Sequence, residues 1–146
     1  MAINKKKYKL VITGGGSGGH TIPALSMIDY CTKKCESENI SLSVLYIGSK
    51  KGIERELCIK KNIKFKHIPT GKLRRYFSLK NFTDIVRIIA GVIKSFFILI
   101  RFRPNMIFST GGFVSVPVVF SGWILRKPSV IHEQTVNIGL ANKINS

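Results

Sequence analysis

Val11-Ile12-Thr13-Gly14-Gly15-Gly16-Ser17-Gly18-Gly19-His20-Thr21-Ile22-Pro23-Ala24 is the stretch whose reading decides the fold. It holds an apolar run of β character, a loop with five glycines around one serine, and then a histidine and a proline where a helix should start. Glycine has no Cβ and tolerates positive φ, so such a loop lets backbone N–H groups approach an anion closely. A helix N-terminus behind it adds partial positive charge. The stretch therefore reads as strand, loop and helix, with the loop as an oxyanion or phosphate cradle.

The same grammar continues outward. Residues 9–13 form the first strand, and Pro23 suits the first turn of a helix in which Ala24, Leu25, Ile28 and Cys31 recur at helical spacing. Residues 42–47 read as a second strand stopped by Gly48, 52–61 as a short charged helix, and 65–68 as a third strand. Residues 70–77 interleave basic and aromatic side chains in an exposed loop. A long helix follows from about residue 79 or 81 to 102, halted by Pro104 because the residue before proline is biased out of the helical region. Residues 106–109 are the fourth strand, Gly111-Gly112 a second glycine turn, 116–125 a helix opened by Pro117, 129–132 the fifth strand and 138–144 a last helix.

Short apolar strands alternating with helices predict an α/β fold, a parallel sheet covered on both faces. Sites in such sheets lie at the carboxyl ends of the strands. Three polar or glycine-rich stretches fall there: the first glycine loop, residues 109–115, and His132-Glu133-Gln134-Thr135. They are expected to converge on one crevice.

The 146 residues, with 45% hydrophobic and 21% charged side chains, suit one compact domain. The charge is less ordinary. Twenty-four Lys and Arg against 7 Asp and Glu give +17, which points to a polyanionic partner: nucleic acid, an anionic membrane surface or a phosphorylated substrate. A nucleic-acid role rests on charge alone, lacks any reader motif and leaves the glycine loops unexplained, so no nucleic acid is expected. Cys31, Cys35 and Cys58 are odd in number and have no zinc-like spacing, which reads as reduced thiols and no metal site. The N-terminus lacks the apolar region and cleavage site of a signal peptide, so a cytosolic location is expected.

Gly14-x-Gly16-x-x-Gly19 matches the dinucleotide fingerprint, but the second strand runs into Gly48-Ser49-Lys50-Lys51, not into the acidic residue that would hold a ribose. Gly14 to Thr21 has P-loop spacing, except that His20 stands where a lysine should reach the terminal phosphates. What remains is a glycine loop with a histidine at the start of a helix. Two readings of His20 stay open: a general base, since imidazole titrates near pH 6.5, or a helix-start residue satisfied by a backbone carbonyl.

Three stretches, taken together, resemble one family. They are Gly14-Gly15-Gly16-Ser17-Gly18-Gly19-His20-x-x-Pro23-Ala24, then Ser109-Thr110-Gly111-Gly112-Phe113-Val114-Ser115-Val116-Pro117, then His132-Glu133-Gln134 with Gly139-Leu140-Ala141-Asn142-Lys143. In order and spacing, over nearly the whole chain, they are similar to the MurG-type N-acetylglucosaminyltransferases of peptidoglycan synthesis. The resemblance implies a GT-B architecture of two Rossmann-like domains facing across a cleft. Residues 1–146 would be the N-terminal, acceptor-side domain, a Rossmann-like parallel sheet flanked by helices, with the C-terminal donor-binding domain missing. The chain stops inside a helical pattern, which fits a piece of a longer protein.

The implied reaction transfers GlcNAc from UDP-GlcNAc to the 4-hydroxyl of the MurNAc unit of lipid I, giving lipid II with inversion, at the cytoplasmic face of the bacterial membrane. UDP-GlcNAc is the donor substrate and no essential metal or other cofactor is expected. This piece alone is expected to be inactive. The resemblance makes His20 the candidate general base, with Glu133 as alternative base or as a cap for the next helix. Ser17, Gly18 and Gly19 become the loop that meets the donor or its diphosphate, and Gly111, Gly112, Ser115 and Asn142 the acceptor-binding residues. Thr135 stands where many members have an asparagine that contacts the donor, Val116 where a glycine is usual, and Phe113 where a tyrosine is common. The alternative reading is a non-catalytic membrane-recruiting subunit of a split GT-B enzyme.

The long helix adds a membrane expectation. Arg87, Lys94 and Arg101 are spaced seven apart and mark one polar stripe, which excludes a simple transmembrane helix. Its apolar remainder, with Phe96 and Phe97, is wider than one core face needs. Lipid contact there, with Lys72, Arg74 and Arg75 meeting anionic headgroups, is the expectation, beside the alternative of a fully buried core helix.

Overall fold

The computed structural model describes residues 5–71, 80–134 and 139–146, with backbone only for 80–83. Lys72, Arg74, Arg75 and Thr135 lie outside the described residues. The elements run β1 (Lys7–Thr13), α1 (Gly18–Ser37), β2 (Ser41–Ser49), α2 (Ile53–Lys60), β3 (Lys64–Ile68), α3 (Lys80–Phe102), β4 (Met106–Ser109), α4 (Ser115–Ile124), β5 (Ser129–Ile131) and α5 (Leu140–Asn145). Every strand pair is parallel and the sheet order is β3-β2-β1-β4-β5. The order reverses between β1 and β4, and a parallel sheet opens a crevice at the carboxyl ends of the two strands flanking such a reversal. The register pairs Thr13 with Ser109, so the first glycine loop and the second glycine turn leave the sheet side by side.

Alternation along the strands builds two cores, since successive side chains point to opposite faces. Leu10 and Ile12 of β1 pack with Tyr46 and Phe108 under Ala24, Leu25 and Ile28 of α1 and Cys58 of α2. On the other face Val11 joins Leu45, Ile47 and Ile107 under Leu99 of α3 and Val118 of α4. These are the covered faces expected of an α/β sheet.

Two boundaries differ from the sequence reading. Helix α1 starts at Gly18, so Ser17-Gly18-Gly19-His20 belong to the helix start and Pro23 lies inside the helix. The extended Ser17 offers its carbonyl to the N–H groups of His20 and Thr21, at 3.3 and 3.2 Å, and to the Thr21 hydroxyl at 3.0 Å. The turn is thus closed before Pro23, whose fixed φ suits a helix and whose missing N–H removes only the bond to the Gly19 carbonyl. Strand β2 does not stop at Gly48 but passes through it to Ser49. Glycine is needed there because a Cβ would lie 2.8 Å from the Phe65 ring and 2.7 Å from Cγ of Glu54.

Helix α3 divides its apolar residues between core and solvent. Gly91, Ser95 and Leu99 are buried, and Gly91 lets the helix approach the Pro69 carbonyl and Pro117. Ile85, Val86, Ile89, Ile93, Phe97 and Ile100 remain exposed, Phe97 at 64%, whereas Phe96 is half-buried. Among the described residues no helix is long and apolar enough to cross a membrane.

Candidate functional site

The three stretches at the strand ends meet around His20. Its Nδ1 lies 2.7 Å from the carbonyl oxygen of Thr110, and the Thr110 hydroxyl returns a 2.7 Å bond to the His20 carbonyl. This reciprocal pair fastens the start of α1 to the loop after β4. A carbonyl can only accept, so this contact calls for a proton on Nδ1, which in the neutral ring leaves Nε2 unprotonated. The structure sets the Gln134 amide nitrogen Nε2 against the same Nδ1 and leaves the Gln134 Oε1 buried without a partner; exchanging the two by a flip of the amide lets Oε1 share the Nδ1 proton with the Thr110 carbonyl. The contact with the Thr110 carbonyl is the one expected of a helix-start histidine satisfied by a backbone carbonyl, and it leaves the other ring nitrogen outside that bond.

Gly111 and Gly112 adopt φ of +86° and +81°, a region that side chains other than glycine rarely enter. A Cβ on Gly112 would overlap the Gly15 carbonyl and come within 3.3 Å of the His20 ring. The two glycine segments are therefore in direct backbone contact. Beside them lies a cavity of about 210 Å³ whose walls include His20, Gly112, Phe113, Val116, Glu133 and Asn142.

Glu133 and Asn142 are coupled. Oε2 of Glu133 accepts the Gly139 N–H at 2.9 Å and Asn142 Nδ2 at 3.0 Å, so the carboxylate caps the start of α5 while facing the cavity. Asn142 Nδ2 also donates to the His132 carbonyl at 3.2 Å, which fixes the amide orientation and leaves its buried Oδ1 against Gly111. Ser115 is fully buried beneath the second glycine turn; its hydroxyl donates to the Gly112 carbonyl and accepts from Asn145 Nδ2, both at 2.8 Å. It supports the turn from below and does not line the cavity.

Ser17, Gly18 and Gly19 are exposed at the start of α1, outside the cavity wall, and Ser17 makes no side-chain cap. Their glycines differ in kind from the first three. Gly14, Gly15 and Gly16 are packed against Thr110, Glu54 and Phe113, whereas a Cβ on Gly18 would meet nothing within 4 Å and one on Gly19 only the Ser17 hydroxyl at 3.8 Å. Nothing within the described chain requires glycine at these two positions, which leaves their exposed amides accessible to another molecule. Gly18→Ala is accordingly expected to leave thermal stability unchanged, or to raise it by up to about 1 kcal/mol through better helix propensity. In the full-length protein the same change should raise the KM for a nucleotide or diphosphate substrate, as checked by melting curves and steady-state kinetics side by side.

Sequence reasoning missed three contributors. Thr110 anchors His20 through both carbonyl and hydroxyl, yet nothing in its local pattern announces a partner at a sequence separation of 90. Glu54 is fully buried under the first glycine loop, its Oε1 accepting the Ser49 N–H at 2.8 Å and the Ser49 hydroxyl at 2.6 Å. A Cβ on Gly15, Gly48 or Gly52 would strike it, so the signal was three glycines around one acid. Tyr46 completes the support by donating to the Gly14 carbonyl at 2.7 Å. Burial above all, then the nearby Cys58 and Glu54, pushes its phenol well above the ordinary range, so it stays a donor throughout the physiological range.

The chain resembles known proteins in sequence and in fold. Residues 10–146 match the glycosyltransferase family 28 N-terminal domain. The chain is 46% identical over 141 residues to a Clostridium perfringens UDP-N-acetylglucosamine--N-acetylmuramyl-(pentapeptide) pyrophosphoryl-undecaprenol N-acetylglucosamine transferase, covering 97% of this chain and 38% of the relative. A protein of the same description from Borreliella burgdorferi is also 46% identical, over 96% of this chain and 38% of its own length. The chain thus spans well under half the length of these curated relatives. In fold it is similar to the crystal structure of Acinetobacter baumannii MurG, with a TM-score of 0.76 at 19% identity over 94% of this chain and 38% of that one. It is also similar to the Streptomyces glycosyltransferase SsfS6, with a TM-score of 0.58 at 10% identity over 94% of this chain and 42% of that one. The glycine-flanked histidine at the reversal point of a β3-β2-β1-β4-β5 sheet therefore belongs to a chain of glycosyltransferase family 28, whose N-terminal domain it matches.

Proposed function

We propose that this chain is the acceptor-side, membrane-facing domain of an inverting glycosyltransferase that moves GlcNAc from UDP-GlcNAc to the 4-hydroxyl of the MurNAc unit of lipid I, yielding lipid II. The observation that carries the reading is the placement of His20: it lines the cavity, and its Nδ1 lies 2.7 Å from the Thr110 carbonyl, a contact that assigns the proton to Nδ1 and the role of base to Nε2. The acceptor hydroxyl loses its proton to Nε2 as its oxygen bonds to the anomeric carbon of GlcNAc. The bond from that carbon to the UDP oxygen breaks on the opposite face, which inverts the centre. The glycine amides at the start of α1 face the negative charge of a diphosphate. The departing UDP is bound by the donor domain, which lies beyond this chain, and its charge is met by helix dipoles and side chains instead of an obligatory metal. The test is transfer of labelled GlcNAc to a lipid I analogue by the full-length protein, run with and without a chelator. Product in both is expected; its absence in both would refute the reaction, and its loss with the chelator alone would refute the metal-free part.

The exposed apolar face supports a peripheral position on the cytoplasmic side of the membrane. Ile89, Ile93 and Phe97 of α3 and Phe120 and Trp123 of α4 are exposed, Trp123 at 72%, on helices joined where the Ser121 hydroxyl donates to the Val92 carbonyl at 3.0 Å. Lys94 and Arg101 on α3, in a chain of net charge +17, supply cations for anionic headgroups. Sedimentation with phosphatidylglycerol vesicles at low salt should capture the protein. Phe97→Asp combined with Trp123→Asp should release it, and capture unchanged by that pair would remove this face as the docking surface.

A further inference from the structure

We propose that a second chamber, on the far side of Phe113 from His20, seats a carboxylate of the acceptor's peptide. This rests on the proposed function, since it concerns where the rest of that acceptor lies. The chamber is a cavity of about 690 Å³ over the β2–β3 half of the sheet, with Ser49 and Ile68 at the strand ends in its wall. The first cavity lies over the other half. The two share Phe113 as a wall, and the neighbours Thr70 and Gly71, and Arg87 and Ile88, are divided between them. Gly16 leaves no room for a side chain against the Phe113 ring, so the partition is seated directly on the first glycine loop.

The charge of the second chamber selects its ligand. Lys50, Lys51 and Arg87 line it against one carboxylate, Asp84, which is buried and already paired with Arg87 at 3.4 Å. The positive field extends past its rim: His67 has its pKa lowered by burial first, and then by the charges of Lys94, Lys50, Arg55 and Lys66. A cationic cavity of this size accommodates an anionic group together with a few peptide units.

The layout also says which arm of the acceptor arrives there. The relatives' acceptor carries a sugar, a pentapeptide and a pyrophosphoryl-undecaprenol. The hydrocarbon must leave toward apolar surface, and the first cavity is walled on that side by Ile88, Val116, Leu140 and Ile144, next to the exposed faces of α3 and α4. With the sugar at His20 and the lipid arm on that side, the arm left for the cationic chamber is the peptide, whose C-terminus is a carboxylate.

The test uses the full-length protein and water-soluble, short-chain lipid I analogues, so that membrane binding does not contribute. Three acceptors are compared: one with free peptide carboxylates, one with them amidated, and one without peptide. The Lys50→Ala/Lys51→Ala pair and Arg87→Gln are set against a remote charge control, Lys33→Ala/Lys60→Ala. The expected result is a rise of about tenfold in KM for the free-carboxylate acceptor with the chamber variants, with kcat and the KM for UDP-GlcNAc within twofold. The amidated and peptide-free acceptors should be insensitive to those variants. An equal rise for the peptide-free acceptor would overturn the proposal in favour of a phosphate, and an equal rise with the control pair would overturn it in favour of general charge. An unchanged KM would remove the chamber from acceptor binding. Failure of the wild type to transfer GlcNAc to any of the three would instead sink the proposed function itself.

Discussion

His20→Ala in the full-length protein is expected to lower kcat for GlcNAc transfer by about 10²–10⁴-fold, the ordinary contribution of a positioned general base. The KM for either substrate should move little, because the base acts on the proton in flight and not on ground-state binding. The alanine also removes the tie to Thr110, so a second variant separates the two roles. In His20→Gln the side-chain amide can still donate to the Thr110 carbonyl, which keeps the α1 start in place without supplying a basic nitrogen. Both variants should therefore lose turnover, while melting curves show that His20→Gln retains stability better than His20→Ala. Glu133 gives the contrast. Its Oε2 holds the Gly139 N–H and Asn142, so Glu133→Ala should loosen α5 and weaken the acceptor side. Turnover that survives His20→Ala and collapses in Glu133→Ala without loss of stability would transfer the role of base to Glu133.

Gly112→Ala is expected to be the most damaging single-atom addition in the site. The residue sits at φ +81°, and its Cβ would overlap the Gly15 carbonyl. Relief requires the two glycine segments to separate, and the contact lies between backbones that cannot rotate away. A loss of about 3 kcal/mol, from the φ strain plus overpacking, is a large fraction of the stability of a domain this size. The His20 ring lies 3.3 Å from the same Cβ position, so transfer should fall beyond what lost stability explains. Thermal melting and activity at a temperature where the variant is folded measure the two effects separately. Gly111→Ala should follow the same trend through the Asn142 amide, 2.8 Å from its Cβ position, with a smaller loss because a side chain can yield where a backbone cannot.

The layers of this fold were legible because its strands are short apolar runs closed by glycine or proline. Strand β4 was read at the same four residues, 106–109, that it occupies, and the crevice formed by the three strand-end stretches follows from parallel topology alone. The start of α1 was not legible. Pro23 suits a first turn and so set the start late, because the glycines before it argue locally against a helix and the turn closes at Gly18 only where the Ser17 carbonyl takes two N–H groups and a hydroxyl. The support of the site was hidden for a related reason. Thr110, Tyr46 and Glu54 act through contacts between distant segments, and a buried glutamate in an acidic helical turn looks in sequence like a solvated one. Glycine itself carried two meanings that sequence does not separate. Gly14, Gly15, Gly16, Gly111 and Gly112 are glycines because this chain fills the space of a Cβ, while Gly18 and Gly19 border space it leaves open. The chemical identity of the reaction came from the family resemblance, since the glycine loop alone suited several phosphate-bearing ligands.

The central claim is that His20 presents Nε2 as a base because the Thr110 carbonyl holds the proton on Nδ1. Long-range ¹H–¹⁵N correlation spectra of the imidazoles, with the His20 signals identified by their loss in His20→Gln, test it most directly. For the neutral ring the account predicts the tautomer with the proton on Nδ1 and an unprotonated Nε2. A neutral His20 protonated on Nε2 would contradict it.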